Sequence, residues 1–347
     1  MDFLSEKAKR LTPYVAGVQP QEKGWIKLNT NENPYPPSPK VVDAIAGVNM
    51  DALKLYPDSE SIKLCEAIAA VLGVGLKNVF CGNGSDDVLA LAYQAFFSEK
   101  ENVLMPDISY AFYPVWSDAF DVKAKILPLD ESYAINIEDY RNGNGVIIAN
   151  PNAPTGIALT LDQIEDITLN NRHSVVIIDE AYIDFANVDS AVSLVSKYDN
   201  LLVVRTFSKS YSLAGLRVGF AVGSRALIGG LQRVKDSFNS YPLGMLEQTA
   251  AQAAILDADY WNEQRNRIIL TRNQAAADLR QLGYDVLDSH ANFVFIRAKD
   301  AKRIYEHLIE HKILVRYWNK PRINEFIRVS IGTDAEMEAF MKCVKRL

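Results

Sequence analysis

The stretch LLVVRTFSKSYSLAGLRVGF, residues 201–220, decides how the rest of the chain is read. Its first four residues are aliphatic, a run long enough only for a strand, and polarity changes abruptly at Arg205. Lys209 then stands between two serines just past the strand, with Arg217 eight residues on. A lysine in that place is either an exposed loop charge, as most lysines are, or a nucleophile held in a pocket. The residues at the ends of the other strands decide between the two.

The bounds are ordinary. At 347 residues, 48% hydrophobic and 23% charged, the chain has the composition of a soluble globular protein with about two domains. A formal net charge of −6 argues against a general nucleic-acid binder. No apolar run approaches the roughly 18 residues of a membrane span. The opening MDFLSEKAKRLTPY carries charge throughout, with no signal-peptide core. Cys65, Cys81 and Cys343 are odd in number and scattered, which fits a reducing compartment better than a disulfide framework or a zinc site. The expectation is a cytoplasmic protein with neither nucleic-acid nor membrane partners.

Outward from the opening stretch, short apolar strands alternate with helices. SIKLCEAIAAVLG (61–73) and DDVLALAYQAFF (86–97) read as helices; NVFCG (78–82), NVLMP (102–106), VIIAN (146–150) and VVIID (175–179) read as strands. TLDQIEDIT (160–168) opens on a capping-box pattern, Thr160 with Gln163. Such alternation implies an α/β domain of three layers around a mostly parallel sheet. Residues 1–40 form an irregular N-terminal arm, and 41–245 the larger domain. Residues 246–347 form a smaller α+β domain, the boundary falling between 240 and 285. The helical stretch 245–283 is expected to be more than one helix.

In open parallel sheets ligands gather outside the carboxyl ends of the strands. After NVFCG comes Gly82-Asn83-Gly84-Ser85-Asp86-Asp87, which opens a helix; it suits either an anion cradle or a plain capped turn. The third glycine of a dinucleotide fingerprint is missing, since Asp87 stands there. After VIIAN comes NPNAPTG (150–156), a rigid loop whose asparagines suit a ligand or a tight turn equally. Asp179 ends a strand buried on both faces, where an unpaired carboxylate is costly and asks for a cation. Asp179 and Lys209 lie thirty residues apart, one βαβ unit, so their strand ends are neighbours. A carboxylate, a lysine, an anion cradle and an arginine at one sheet edge suit a phosphorylated, cationic, aldehyde-bearing heterocycle. Pyridoxal phosphate has that chemistry, with Lys209 as its Schiff-base partner, Asp179 on the ring nitrogen and Arg217 on the phosphate. HLIEH (307–311) matches a metalloprotease pattern, but no third ligand is evident and the histidines read as a solvated helix face.

GNGSDD, NPNAPTG, DEAYIDF and RTFSKSYSLAGLRVGF, in this order, resemble the fold-type I pyridoxal-phosphate enzymes and, among them, the histidinol-phosphate aminotransferases. The likeness runs from LTPY (11–14) and LNTNENPYPPSP to IRVSIGT (327–333). It implies that Lys209 is the Schiff-base lysine and proton shuttle, that Asp179 pairs with the ring nitrogen, and that Tyr182 bonds the ring hydroxyl. It further implies that Tyr110 stacks on the ring and that Gly84, Ser85, Asp86, Ser208 and Arg217 surround the phosphate. Tyr56 resembles a tyrosine reaching the phosphate of a neighbouring subunit, which implies a homodimer. Arg328, Arg316 and Tyr14 match positions that hold the substrate's acidic end. Where many relatives carry asparagine before PTG this chain has Ala153, and Asn152 is the candidate to replace it.

The resemblance thus implies amino transfer between histidinol phosphate and 2-oxoglutarate, a step of histidine biosynthesis. The rivals are an aromatic or broad-specificity aminotransferase, a decarboxylase of a phosphorylated amino acid, and a ligand-sensing regulator. The last needs an N-terminal DNA-binding domain, and no helix-turn-helix fits in the roughly thirty residues before LNTNENP.

Overall fold

Seven short strands pair into one sheet, in the order Val79–Gly82, Gly219–Gly223, Leu201–Thr206, Val176–Asp179, Gly145–Ala149, Asn102–Pro106 and Lys123–Leu127. All pairings are parallel except the two made by Gly219–Gly223. The computed structural model describes residues 3–15, 17–98, 102–141 and 143–345.

Alternate residues of each strand enter different cores. Leu201 and Val203 pack with Ile148, Ile164 and Ala251 on one face; Leu202 and Val204 pack with Val88, Leu91 and Leu231 on the other. With both faces covered, every position must be apolar, which is why these strands read as continuous runs. Helices Ile62–Leu72, Leu161–Asn170 and Met245–Leu256 lie on the first face, Gly84–Phe96 and Arg225–Phe238 on the second. The expected α/β three-layer architecture is present. So is the capping box, in which Thr160 N–H donates to Gln163 Oε1 at 2.9 Å and Gln163 N–H to Thr160 Oγ1 at 3.3 Å.

A four-stranded antiparallel sheet, ordered Arg316–Tyr317, Phe326–Ser330, Phe293–Arg297 and Asp285–Val286, builds a second core with helices Ala258–Gln281, Ala301–Glu310 and Asp334–Val344. The segment 245–283 is two helices broken at Asp257. Ala250 and Ala254 before the break belong to the larger core, Ile268 and Leu279 after it to the smaller. On that packing we propose Asp257 as the boundary between the units.

The N-terminal arm does not stand apart. Ile26–Lys27 pairs in parallel with Ile313–Leu314, and Leu28 is buried in the smaller core. That pairing carries residues 29–31 across to the carboxyl ends of the large sheet's strands.

Candidate active site

The strand Val79–Gly82 hands the chain to helix Gly84–Phe96 beside strand Gly219–Gly223, and glycine makes the approach possible. A Cβ on Gly219 would lie 2.3 Å from Ser85 N, and one on Gly84 (φ +84°) would lie 2.5 Å from Arg217 Nη2. Arg217 donates to Ser208 Oγ at 3.3 Å and pairs with Asp86 at 3.2 Å. Asn83, at the helix start, supplies no side-chain cap. Gly84, Ser85, Asp86, Ser208 and Arg217 therefore meet at one place, where a helix N-terminus and a guanidinium converge. The Tyr110 hydroxyl donates to Asp86 Oδ1 at 2.8 Å, fixing its ring above the same spot.

Asp179 is buried at the end of its strand, in register with Val204, five residues before Lys209. Its Oδ2 accepts from the Tyr113 hydroxyl at 2.8 Å and its Oδ1 from Ala181 N–H at 3.2 Å. Burial nevertheless pushes its carboxyl up to about 6, outweighing both bonds and the attraction of Lys209. Lys209 Nζ donates to the Thr30 carbonyl at 3.1 Å and lies 5.7 Å from the Tyr182 ring centroid. Tyr182 accepts at its hydroxyl from Asn31 Nδ2 at 3.0 Å, and its ring meets Phe293 edge-on at 5.2 Å. Ala153 packs with Phe293, Ala291 and Tyr182, so the position that differs from the expected asparagine is an apolar contact.

Asn152 is occupied. Its amide donates to the Ile108 carbonyl at 2.9 Å and to Thr155 Oγ1 at 3.1 Å, and its Oδ1 accepts from Ser109 at 2.8 Å. A bond from Asn152 to a ligand would have to replace one of these, whereas Asn31 already serves Tyr182. Asn31 thus bonds the Tyr182 hydroxyl, a contact that leaves the expected bond from Asn152 to the ring hydroxyl untouched.

Arg328 is half-buried between Phe293 and Trp318, its guanidinium 5.2 and 5.3 Å from their ring centroids. Its Nη2 donates to the Asn29 carbonyl at 2.9 Å, and its Nε is buried without a partner. Burial lowers its pKa; Arg316 adds to that, while the hydroxyls of Tyr182 and Tyr14 act the other way. Arg316 reaches the Val15 carbonyl at 3.4 Å, and Tyr14 stacks on Phe112 at 4.4 Å, so the N-terminal arm lies over this end of the site. Tyr56 is not part of this cluster: it is 81% exposed and stacks on Tyr241, at 4.7 Å.

Sequence reasoning missed Thr30, Asn31, Tyr113 and Trp318. NTNENP shows only turn-forming residues; the signal for Asn31 is that asparagine tolerates the left-handed backbone it adopts, at φ 55°. Reading HLIEH as a wholly solvated face also needs correction. His307 is half-buried, and Cys343 from the terminal helix lies beside both histidines.

The residues fit pyridoxal phosphate. The helix start, Ser208 and Arg217 suit its phosphate; Asp179 needs a cation, which a protonated ring nitrogen would be; and Lys209 is the amine within reach of Tyr182. Fold and site together define the architecture of the fold-type I aminotransferases. The histidinol-phosphate aminotransferase of Sinorhizobium meliloti, solved with pyridoxal-5'-phosphate, superposes with a TM-score of 0.88 at 24% identity, covering 100% of this chain and 98% of that one. The chain belongs to the aminotransferase class I and II family, whose model matches residues 23–344. It is 50% identical to a histidinol-phosphate aminotransferase of Brachyspira hyodysenteriae, over 99% of this chain and 98% of that protein. It is 49% identical to one of Acinetobacter baumannii, over 100% and 97%.

Proposed function

We propose that this chain transfers an amino group between L-histidinol phosphate and 2-oxoglutarate, with pyridoxal phosphate held at Lys209. The observation that carries the substrate is Arg328, desolvated between two aromatic rings with one N–H unspent, and with Arg316 and Tyr14 in electrostatic reach. Several converging donors suit a phosphate dianion, which each of them can share. The names of the relatives support the same reading.

When bound, the cofactor supplies the carbonyl that carries the amino group and an electron sink. The protein's residues do the rest. Asp179 holds the proton on the ring nitrogen, and Tyr113 keeps its carboxylate aimed. Tyr182 receives the Asn31 amide at its hydroxyl oxygen, which leaves its own proton to point at the ring hydroxyl. Lys209 Nζ moves the proton at the reacting carbon, and the Thr30 carbonyl orients that amine. Gly84, Ser85, Asp86, Ser208 and Arg217 anchor the phosphate, with Tyr110 stacked on the ring.

The exposed Tyr56, flanked by exposed Met50, Leu53 and Leu55, supports a homodimer in which Tyr56 reaches the partner's phosphate site. Among the described residues no helix is long and apolar enough to cross a membrane, and none of the three cysteines is in a disulfide. Both facts support a cytoplasmic setting.

The test is substrate choice. Mixed with single amino donors, the enzyme should convert its cofactor spectrum to the amine form at least about a hundredfold faster with histidinol phosphate than with histidine, phenylalanine or aspartate. A preference for phenylalanine would make it an aromatic aminotransferase. Release of carbon dioxide from a phosphorylated amino acid would make it a decarboxylase.

A further inference from the structure

In the smaller unit, three metal-ligating side chains converge. His307, His311 and Cys343 each bring one ligand atom to within 4.8 Å of the others. The histidines occupy i and i+4 at the end of helix Ala301–Glu310, and Cys343 lies in the last turn of helix Asp334–Val344. Two further observations point to a ligand. His307 Nε2 is buried with no hydrogen-bond partner, a costly condition for an imidazole nitrogen. His311 Nδ1 lies 2.9 Å from the His307 carbonyl, which fixes the proton on Nδ1 and leaves Nε2 as the lone-pair nitrogen. That arrangement is how ligating histidines are commonly oriented.

We propose that His307, His311 and Cys343 bind a Zn2+-class divalent ion that ties these two helices together. One thiolate and two imidazoles suit a borderline-soft cation, and calcium or magnesium would need oxygen ligands in their place. Metal–nitrogen and metal–sulfur bonds of about 2.0 and 2.3 Å require ligand atoms roughly 3.3–3.8 Å apart. Small shifts of the three side chains, made with the His311 Nδ1 bond kept, close the remaining gap, and the exposure of His311 gives the ion its entry and leaves a fourth position to water. On binding, Cys343 gives its thiol proton to solvent and both imidazoles enter neutral. The site is separate from the Lys209 centre and holds helices rather than substrate.

The experiment uses the cofactor-loaded protein, stripped of metal by dialysis against a chelator and then equilibrated with zinc ion alone at buffered free concentrations. Elemental analysis should give one zinc per chain, half-saturated below about 1 µM free zinc. His307→Gln and Cys343→Ser should each weaken binding at least about tenfold, as should His311→Gln, which alters only an exposed side chain and guards against misfolding. Zinc should raise the melting temperature of the unchanged protein and leave that of the variants where it was. Less than a tenth of a zinc per chain at 1 µM or so would overturn the proposal. So would unchanged affinity in the three variants, or binding lost on replacing Cys65 or Cys81 instead.

Discussion

Asp179 and its neighbour Glu180 are buried carboxyls whose burial costs stability. Burial raises Asp179 from 3.8 to about 6, and Glu180 from 4.5 to about 7 despite Arg205 nearby. The unfolded chain ionises both at lower pH, so across that window the folded chain holds the extra protons. The contribution of these two groups to the stability of the cofactor-free protein therefore falls as pH rises from about 4 through 7. Asp179→Asn removes part of the cost. We expect the cofactor-free variant to be about 1–2 kcal/mol more stable than the parent at pH 7 by urea unfolding, while its transamination rate falls by orders of magnitude. A variant less stable than the parent would contradict the balance of burial over bonding. Lys209→Ala should lose turnover entirely yet keep its fold by circular dichroism, since no other amine lies where Thr30 holds Nζ; near-normal turnover would remove Lys209 from the chemistry. Tyr113→Phe leaves Asp179 one donor short. It should weaken cofactor retention about tenfold, read by equilibrium dialysis, and unchanged retention would reduce Tyr113 to packing.

At the scale of elements, the approach of strand Gly219–Gly223 to the start of helix Gly84–Phe96 shapes the anion cradle. Gly219→Ala would drive a methyl into the backbone at Ser85 and Gly84, none of which is a flexible side-chain tip. The cost should be about 1–3 kcal/mol in stability, with cofactor retention falling more than the lost stability alone accounts for. A melting temperature equal to the parent's would mean the strand shifts freely. This same strand shows where sequence reasoning stops. The parallel strands were legible because both faces are buried and each is a run of aliphatic residues ending in a chemistry-bearing one, such as Asp179. Gly219–Gly223 is bounded by glycine at each end and comes directly after the Lys209 loop, so it reads as the tail of that loop. Lys123–Leu127 is an edge strand whose lysines face solvent; it has no apolar run to find. Helix Arg225–Phe238 keeps helical spacing at Leu227, Ile228, Leu231, Val234 and Phe238, but two adjacent glycines interrupt it. Asp179 and Lys209 were legible from position, because chain order puts them at or just past the ends of neighbouring strands. Thr30, Asn31 and Tyr113 were not, because their roles arise from contacts with residues distant in sequence.

For the whole molecule, the proposed homodimer has a direct test. Chains carrying Lys209→Ala mixed with chains carrying Tyr56→Phe give hybrids in which the intact Lys209 site faces an unaltered Tyr56. That site should hold the cofactor as firmly as the parent enzyme does, and more firmly, by about 1–2 kcal/mol, than the Tyr56→Phe dimer. A hybrid as impaired as the Tyr56→Phe parent would place the tyrosine's action within its own chain. The change in pattern after residue 245 gave the expectation of a larger, mostly parallel unit followed by a smaller α+β one, with five of the sheet's seven strands read beforehand. The insertion of the N-terminal arm into the smaller unit was not legible, since a two-residue strand leaves no periodicity to read.

That insertion has a kinetic consequence. Asn31 N–H is bonded to Ser330 Oγ at 2.8 Å, across 299 residues of chain, and the same segment supplies the carbonyl that orients Lys209. Contacts of such sequence separation carry a large loop-closure cost and form late. On a ribosome, the segment that finishes the reactive lysine's surroundings emerges 299 residues ahead of Ser330, the partner it waits for. A chain holding every strand of its seven-stranded sheet still lacks Ser330, and with it a contact that ties down the segment orienting Lys209, so catalytic competence trails the sheet.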